Sequence, residues 1–289
     1  MRRLWSLFGL AAGFAFTGSG SAQTPPSWTA PMTPFKIADN LYYVGTAGIS
    51  SFLITTPSGH VLIDGAMPTS AKAIEASIVA LGFKLPDVKV LLNTHAHFDH
   101  TGGLADLKRD TGAKLAASAG DRVALESGKY PGSEDVALFN FKPVTVNRVL
   151  RDGDVVRLGG LALTANITPG HTAGCTTWTF QTTVAGVRRQ VLVYCSTSVA
   201  ANRLVSKTRG PQYPGIVADY RASFARLKTM KADIVLAPHG EQFGLAAKLA
   251  KLPANGPNPF VDPGELARTV AQSEADFTRE LAKQEAAAR

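Results

Sequence analysis

Hydrophobic and polar positions alternate along the chain in two patterns, one typical of β-strands and the other of helices. In the first half, β-rich or apolar runs predict strands at 41–47, 51–56, 60–64, 88–93 and near 113–117. Helical spacing predicts helices over 71–81, over 104–110 and from about Asp121. Gly, Pro and Ser turns separate the first three strands, which indicates a meander.

The second half repeats this order of elements. Its strand-like runs are 148–157, 161–167, 176–182, 189–194 and 233–237, with a hairpin turn around 184–186. One helix carries Tyr220, Phe224 and Leu227, and a terminal helix begins near Pro263. A meander plus helices, occurring twice, predicts two face-to-face sheets with helices outside. We therefore expect an α+β fold, a four-layer αββα sandwich, with residues 23–289 forming one domain.

The N-terminal residues 1–22 have the pattern of an export signal. Arg2 and Arg3 precede an apolar stretch from Leu4 to Phe16, and small residues up to Ala22 offer a cleavage site. The stretch is well short of the ~20 apolar residues that a spanning helix needs. A cleaved signal peptide and a periplasmic protein, free of the membrane after cleavage, are therefore favoured over an uncleaved anchor.

Composition narrows the classes of function. Hydrophobic residues make up 45% of the chain and charged residues 18%, which is enough apolar material for a core and too little charge for a disordered chain. The formal net charge is +8, but the basic residues are dispersed in runs of two at most. We therefore expect no nucleic-acid partner. Two cysteines are too few for a cysteine-rich zinc module.

The segment 93–100, Asn-Thr-His-Ala-His-Phe-Asp-His, holds the strongest chemical signal. It begins where the predicted strand 88–93 ends. Side chains at i and i+2 of an extended stretch point the same way, so His95 and His97 can bind one ion. A tight turn then brings Asp99 and His100 to a second ion. Imidazole nitrogens with a carboxylate oxygen favour Zn²⁺ over Ca²⁺ or Mg²⁺.

Three further histidines complete the six of the chain. His171 and His239 each follow a predicted strand, where loops gather functional sites. His60 follows Pro57-Ser58-Gly59 with no ligand-type residue around it, and we interpret it as a surface turn residue.

The sequence resembles the metallo-β-lactamase superfamily and, within it, the subclass B3 metallo-β-lactamases. The metal segment indicates the superfamily, whereas the flanking segments point to subclass B3. These segments are Leu41-Tyr42-Tyr43-Val44-Gly45, Ser51-Phe52-Leu53-Ile54, Val61-Leu62-Ile63-Asp64-Gly65, Thr168-Pro169-Gly170-His171 and Pro257-Asn258-Pro259-Phe260. The resemblance covers nearly the whole chain after residue 22.

The resemblance implies two Zn²⁺ per chain. His95, His97 and His171 would hold the first, and Asp99, His100 and His239 the second. The implied activity is hydrolysis of the amide of a β-lactam, a small-molecule substrate, by a zinc-bound hydroxide that Asp99 orients. Penicillins, cephalosporins and carbapenems are the expected substrates and resistance to them the result. The protein is expected to act as a monomer.

Two other functions stay open. One is a relative of the same fold that cleaves a lactone, a thioester or a phosphodiester; the lack of a carboxylate at 195–198, where such relatives place a bridging Asp, argues against it. The other is a non-catalytic binding protein, which would be expected to have lost metal ligands.

Further roles are proposed for residues outside the ligand sets. A hairpin turn near Ala185 sets Cys175 opposite Cys195, which predicts either a disulfide or two buried thiols, with Cys195 not a metal ligand. Ser196 and Ser198 resemble the serines that subclass B3 enzymes use near the metal and substrate, although turn roles compete. Asp64 is expected to hydrogen-bond a metal-ligating histidine, or else to act in a cap or turn.

Overall fold

The computed structural model describes residues 24–252 and 257–289. The predicted signal peptide, residues 1–22, lies outside these residues. Among the described residues, no helix combines the length and the apolar composition needed to cross a bilayer.

The first half of the chain builds a seven-stranded sheet in sequence order. Its strands are β1 (Phe35–Ala38), β2 (Leu41–Tyr43), β3 (Phe52–Thr56), β4 (Gly59–Ile63), β5 (Val88–Leu92), β6 (Lys114–Ser118) and β7 (Arg148–Leu150). Strands β1 to β4 form an antiparallel meander, and β4 to β7 run parallel. The parallel strands place their carboxyl ends at one edge of the sheet, so the segment after β5 begins at that edge.

The second half builds a five-stranded sheet in the order β12-β11-β10-β9-β8. Its strands are β8 (Val155–Leu158), β9 (Leu161–Ile167), β10 (Thr176–Val184), β11 (Val187–Val193) and β12 (Ile234–Leu236). The hairpin of β10 and β11 turns at Ala185 and Gly186, as predicted, and pairs Trp178 with Val193.

The prediction of one strand over 148–157 is wrong. A turn at 151–154 divides this run, with Gly153 at a φ of 80° and the Asp154 carboxylate accepting a hydrogen bond from the amide of Arg151. Gly adopts this left-handed backbone without a Cβ penalty. The turn lets β7 join the first sheet and β8 the second, so it is the point where the chain changes sheets.

Seven α-helices occur in the described residues. They are α1 (Ala71–Ala80), α2 (Phe98–Thr101), α3 (Leu104–Thr111), α4 (Ala119–Ser127), α5 (Ile216–Leu227), α6 (Leu245–Leu249) and α7 (Glu265–Ala287).

Two hydrophobic cores confirm the four-layer sandwich. Strand β3 alternates between them: Phe52 and Ile54 enter the core that includes Trp178 of the second sheet, and Leu53 enters the core that includes Ile74 of α1. Helices α5 and α7 add apolar side chains to the first of these cores, whereas α1, α3 and α4 add theirs to the other. The first core thus joins the two sheets with α5 and α7, and the other joins the first sheet with α1, α3 and α4, which gives the order helix, sheet, sheet, helix.

The interpretation of His60 as a surface residue is wrong. His60 lies in β4, which is paired on one side with β3 and on the other with β5, and only 7% of the residue is exposed. Its ring meets the edge of Phe83 at a centroid distance of 5.0 Å. The neighbouring strands and the Phe83 ring therefore cover the His60 side chain, although the preceding turn is exposed.

Candidate metal centre

The segment after β5 turns sharply and displays its polar side chains on two sides. It stays extended through His97 and then enters α2, which carries Asp99 and His100. The Thr101 hydroxyl donates to the carbonyl oxygen of His97 at 2.8 Å, which ties the short helix to the extended stretch. This hydrogen bond stabilises the turn, and the turn separates His95 and His97 from Asp99 and His100.

His95, His97 and His171 form the first ligand group. Their ligand atoms all lie within 4.8 Å of one another, and His171 reaches this position from the loop that follows β9. His95 Nδ1 lies 3.1 Å from the Thr94 hydroxyl, and His171 Nδ1 lies 2.7 Å from the carbonyl oxygen of Ser198. These bonds leave the other ring nitrogen of His95 and of His171 free for a metal ion.

Asp99, His100 and His239 form the second ligand group, with His239 supplied by the segment after β12. The Nε2 atoms of His100 and His239 lie 3.1 Å apart. The Asp99 Oδ2 atom is 3.2 Å from the first of these nitrogens and 3.4 Å from the second. Three donor atoms from two distant parts of the chain thus converge on one point.

Four of the ligand histidines have lowered pKa values, which suits them to bind a cation. Burial and neighbouring imidazoles lower the pKa of His95 and His97 well below the ordinary value. Burial lowers the pKa of His171 to about 4, and that of His239 in the second group to about 3. These rings are therefore neutral at pH 7 and offer lone pairs rather than protons.

The second ligand group also contains an acid–histidine pair. Burial alone would raise the pKa of Asp99, but the adjacent His100 and His239 lower it below its usual range. Burial alone would lower the pKa of His100, and the Asp99 carboxylate raises it instead. The second ligand group thus keeps a negative oxygen between two imidazoles.

The donor sets fit zinc. His95 Nε2, in the first group, is buried and has no hydrogen-bond partner among the described residues. Imidazole nitrogens and one carboxylate oxygen are preferred zinc ligands. A cation in the first set would give the buried His95 Nε2 a partner that it does not have among the described residues. A cation in the second set would lie between the Asp99 carboxylate and the two imidazoles that converge on it.

Asp64 contacts the metal segment through an intermediate residue. Its two carboxylate oxygens accept hydrogen bonds from the amide and the hydroxyl of Thr94, both at 2.7 Å. The expected direct bond to a histidine is therefore wrong, since Thr94 lies between Asp64 and His95. Burial raises the pKa of Asp64 to about 6, although nearby His100 and the two bonds from Thr94 lower it.

Cys175 and Cys195 are joined by a disulfide, and both are fully buried. The bridge links the loop of His171 to the end of β11, just before Ser196 and Ser198.

The Ser198 hydroxyl lies 3.4 Å from His171 Nδ1 and 3.2 Å from the Ser196 hydroxyl. Ser198, which is exposed, therefore adjoins the first ligand group, and the buried Ser196 reaches it only through Ser198.

Tyr130 and Asn202 also support the first ligand group, although no sequence motif marks either residue. The Tyr130 ring stands perpendicular to His97 at a centroid distance of 4.3 Å. Its hydroxyl lies 2.8 Å from Asn202 Oδ1, and Asn202 Nδ2 donates to the carbonyl oxygen of His171 at 2.8 Å. Both residues lie in loops distant in sequence from the ligands, so no local pattern marks them.

Asp121 and Trp28 also lie at the centre. The Asp121 carboxylate, on α4, accepts hydrogen bonds from the backbone near both His95 and His171, and burial raises its pKa to about 6. The Trp28 ring lies 5.2 Å from that of His239. Their positions depend on how α4 and the N-terminal segment pack, which no short motif encodes.

Known proteins share this fold. A family model for the metallo-β-lactamase superfamily matches residues 44–183. The crystal structure of BJP-1, a subclass B3 metallo-β-lactamase of Bradyrhizobium japonicum, is 48% identical with a TM-score of 0.89, covering 91% of this chain and 99% of that one. The native FEZ-1 metallo-β-lactamase of Legionella gormanii is 41% identical with a TM-score of 0.84, covering 89% and 98% of the two chains.

Curated relatives are more distant and match over a shorter region. A hydroxyacylglutathione hydrolase of Methylobacterium nodulans is 30% identical over 143 residues, 46% of this chain and 47% of that protein. A probable metallo-hydrolase of Burkholderia pseudomallei is 34% identical over 151 residues. The chain thus spans about half the length of these curated relatives.

Fold, ligand geometry and near full-length similarity together define the class: the chain belongs to the metallo-β-lactamase superfamily of metal-dependent hydrolases. Within that class it resembles the subclass B3 enzyme BJP-1 over almost the entire length of that protein, which confirms the predicted resemblance.

Proposed function

We propose that the protein is a zinc-dependent β-lactamase that opens the amide bond of the β-lactam ring. The observation that carries the proposal is the pair of adjacent ligand groups in a chain that covers 99% of a subclass B3 metallo-β-lactamase at 48% identity. The curated hydrolases, in contrast, match only about half of their own length.

We assign His95, His97 and His171 to one zinc ion and Asp99, His100 and His239 to the other. Two bound zinc ions supply a water molecule acidified toward neutral pH and an electrophile for a carbonyl oxygen. The neutral state of the three histidines in the first group suits this role, because a protonated imidazole has no lone pair for a metal.

The protein's own groups position the reactants. The Asp99 carboxylate can accept a hydrogen bond from the attacking water and orient it, which is the catalytic role we assign to it. The Ser198 hydroxyl adjoins His171, and the Ser196 hydroxyl adjoins that of Ser198. We assign both hydroxyls to the binding of the β-lactam carboxylate, to which a hydroxyl can donate. Overall, one water adds across the ring C–N bond: the carbonyl carbon gains the oxygen, and the nitrogen leaves with a proton.

A thioester hydrolase is the second candidate, favoured by the name of the Methylobacterium nodulans relative. Relatives of that kind are expected to use a bridging Asp near the end of β11. In this chain, Cys195 at that place is bonded to Cys175, and Ser196 to Ser198 follow without a carboxylate. Asp99 is the single carboxylate in the two ligand groups found among the described residues.

We further propose that the protein is exported to the periplasm, that residues 1–22 are removed, and that the chain acts as a monomer. The mass of the protein recovered from a periplasmic extract would test the first two points. Its molecular mass in solution would test the third.

The decisive experiment measures ring opening of a penicillin, a cephalosporin and a carbapenem by the purified protein, with added zinc and with a chelator. A hydroxyacylglutathione thioester is assayed in parallel. We expect chelator-sensitive β-lactam turnover that His97→Ala abolishes and His60→Gln retains, since His60 is the one histidine outside both ligand groups. Thioester turnover without β-lactam turnover, in protein holding two zinc ions, would overturn the proposal in favour of the thioester hydrolase.

A further inference from the structure

Asp121 is a buried carboxylate that bridges two chain segments. It lies on α4 and is 2% exposed. Its Oδ2 atom accepts a hydrogen bond from the amide of Ala96 at 2.8 Å, and its Oδ1 atom accepts one from the amide of Gly174 at 3.0 Å. Ala96 stands between His95 and His97, and Gly174 is three residues beyond His171. One side chain therefore contacts both segments that supply the first ligand group.

The loop of His171 and the start of α4 are in close contact. The Ser118 hydroxyl donates to the carbonyl oxygen of Gly174 at 2.6 Å. A Cβ atom on Gly120 would lie 2.5 Å from the carbonyl oxygen of Ala173, and one on Gly174 would lie 2.6 Å from Asp121 Cγ. Backbone can approach this closely only where both positions are glycine. This close packing fixes the position of the Asp121 carboxylate relative to the His171 loop.

We propose that Asp121 is a positioning residue that sets the separation between the His95–His97 segment and the His171 loop, and with it the geometry and zinc affinity of the first ligand group. The inference rests on the proposed function, because it requires that this group binds zinc. A carboxylate suits the task since each of its two oxygens accepts one amide hydrogen. An asparagine retains one acceptor and turns an NH₂ group toward the other amide, so one bridge is lost.

The test compares zinc binding by Asp121→Asn with that of the unmodified protein, by titration against a chromophoric chelator. We expect zinc affinity at the first ligand group to fall about 10–100-fold, as is typical when a residue that orients metal ligands is replaced. Ser118→Ala removes a neighbouring bond to the same loop, so a smaller fall in the same direction is expected. This milder variant keeps the test valid if Asp121→Asn does not fold.

Asp233→Asn is the matched control. The Asp233 carboxylate also accepts a backbone amide hydrogen bond, from Gln190 at 2.7 Å, but it joins β11 to the start of β12 and does not contact either ligand group. Thermal unfolding of all variants without metal measures any general loss of stability. A weaker zinc affinity in Asp121→Asn than in Asp233→Asn, at similar metal-free stability, is the expected result.

Equal zinc affinities in the two variants would overturn the inference and make Asp121 a purely structural residue, while the proposed function would stand. If the unmodified protein binds no zinc, the proposed function fails and this inference fails with it. The two failures are therefore distinguishable from the unmodified protein alone.

Discussion

The two ligand groups lie side by side but are supported differently. In the first group, His95 contacts Thr94, and the His171 ring contacts the Ser198 backbone. In the second group, the Nδ1 atoms of His100 and His239 have no hydrogen-bond partner among the described residues. The side chain of His239 is also 14% exposed.

The difference indicates two ways to build a cation site. The first group consists of neutral imidazoles held in place by the surrounding chain, so its affinity depends on geometry. The second group has fewer supporting bonds but contains the Asp99 carboxylate, so its affinity depends more on charge. Disturbing the scaffold should therefore weaken the first group more than the second, whereas competition for the metal should empty the second group first.

Removal of a ligand gives the largest expected effect. We expect His171→Ala to lower kcat/KM about 10³-fold, because the chemistry supplied by a bound metal is worth several kcal/mol. His239→Ala should cause a smaller loss, since the better supported first group stays intact. The measurement is β-lactam hydrolysis with zinc content per chain, and His60→Gln is the control. Equal losses in the two variants would contradict the difference between the groups.

Much of this site was predictable because its signal is local. The 93–100 segment and the hairpin of β10 and β11 depend on neighbours in sequence, and the structure brings Cys175 and Cys195 together as the hairpin suggested. The errors arose where distant packing decides. His60 is covered by strands and by Phe83, and Asp64 meets Thr94 across two strand ends. The role of Asp121 depends on how α4 packs against two loops, which no spacing reveals.

The disulfide should give the next largest effect and act on the first group. A bridge across a sequence separation of 20 residues is worth about 3 kcal/mol. We expect Cys175→Ala/Cys195→Ala to lower the free energy of unfolding by about this amount, as measured with urea. Because the bridge joins the His171 loop to the end of β11, zinc affinity at the first group should also fall. Unchanged stability, or a loss of affinity at the second group alone, would contradict this.

Stepwise removal of metal compares the two groups directly. Two supporting hydrogen bonds at ~1 kcal/mol each correspond to roughly a 30-fold difference in affinity. We expect a competing chelator to remove the ion of the second group first and to leave a species with one zinc. Zinc content at increasing chelator concentration gives the two midpoints, and His239→Ala should show only the later one. A single midpoint for the unmodified protein would show that the charge of Asp99 compensates for the missing support.

The smallest effect is expected from Ser198→Ala. The backbone carbonyl of Ser198, rather than its hydroxyl, makes the 2.7 Å contact with His171, and alanine retains that carbonyl. Zinc content should therefore stay unchanged, while the loss of one hydrogen bond to a substrate carboxylate raises KM about fivefold. Ser196→Ala is the comparison, since the buried Ser196 accepts a hydrogen bond from the amide of Ser198 and helps to shape the turn. A fall in zinc content with unchanged KM in Ser198→Ala would assign this hydroxyl to the support of His171. The first ligand group would then depend on the Ser198 hydroxyl as well as on the Ser198 carbonyl.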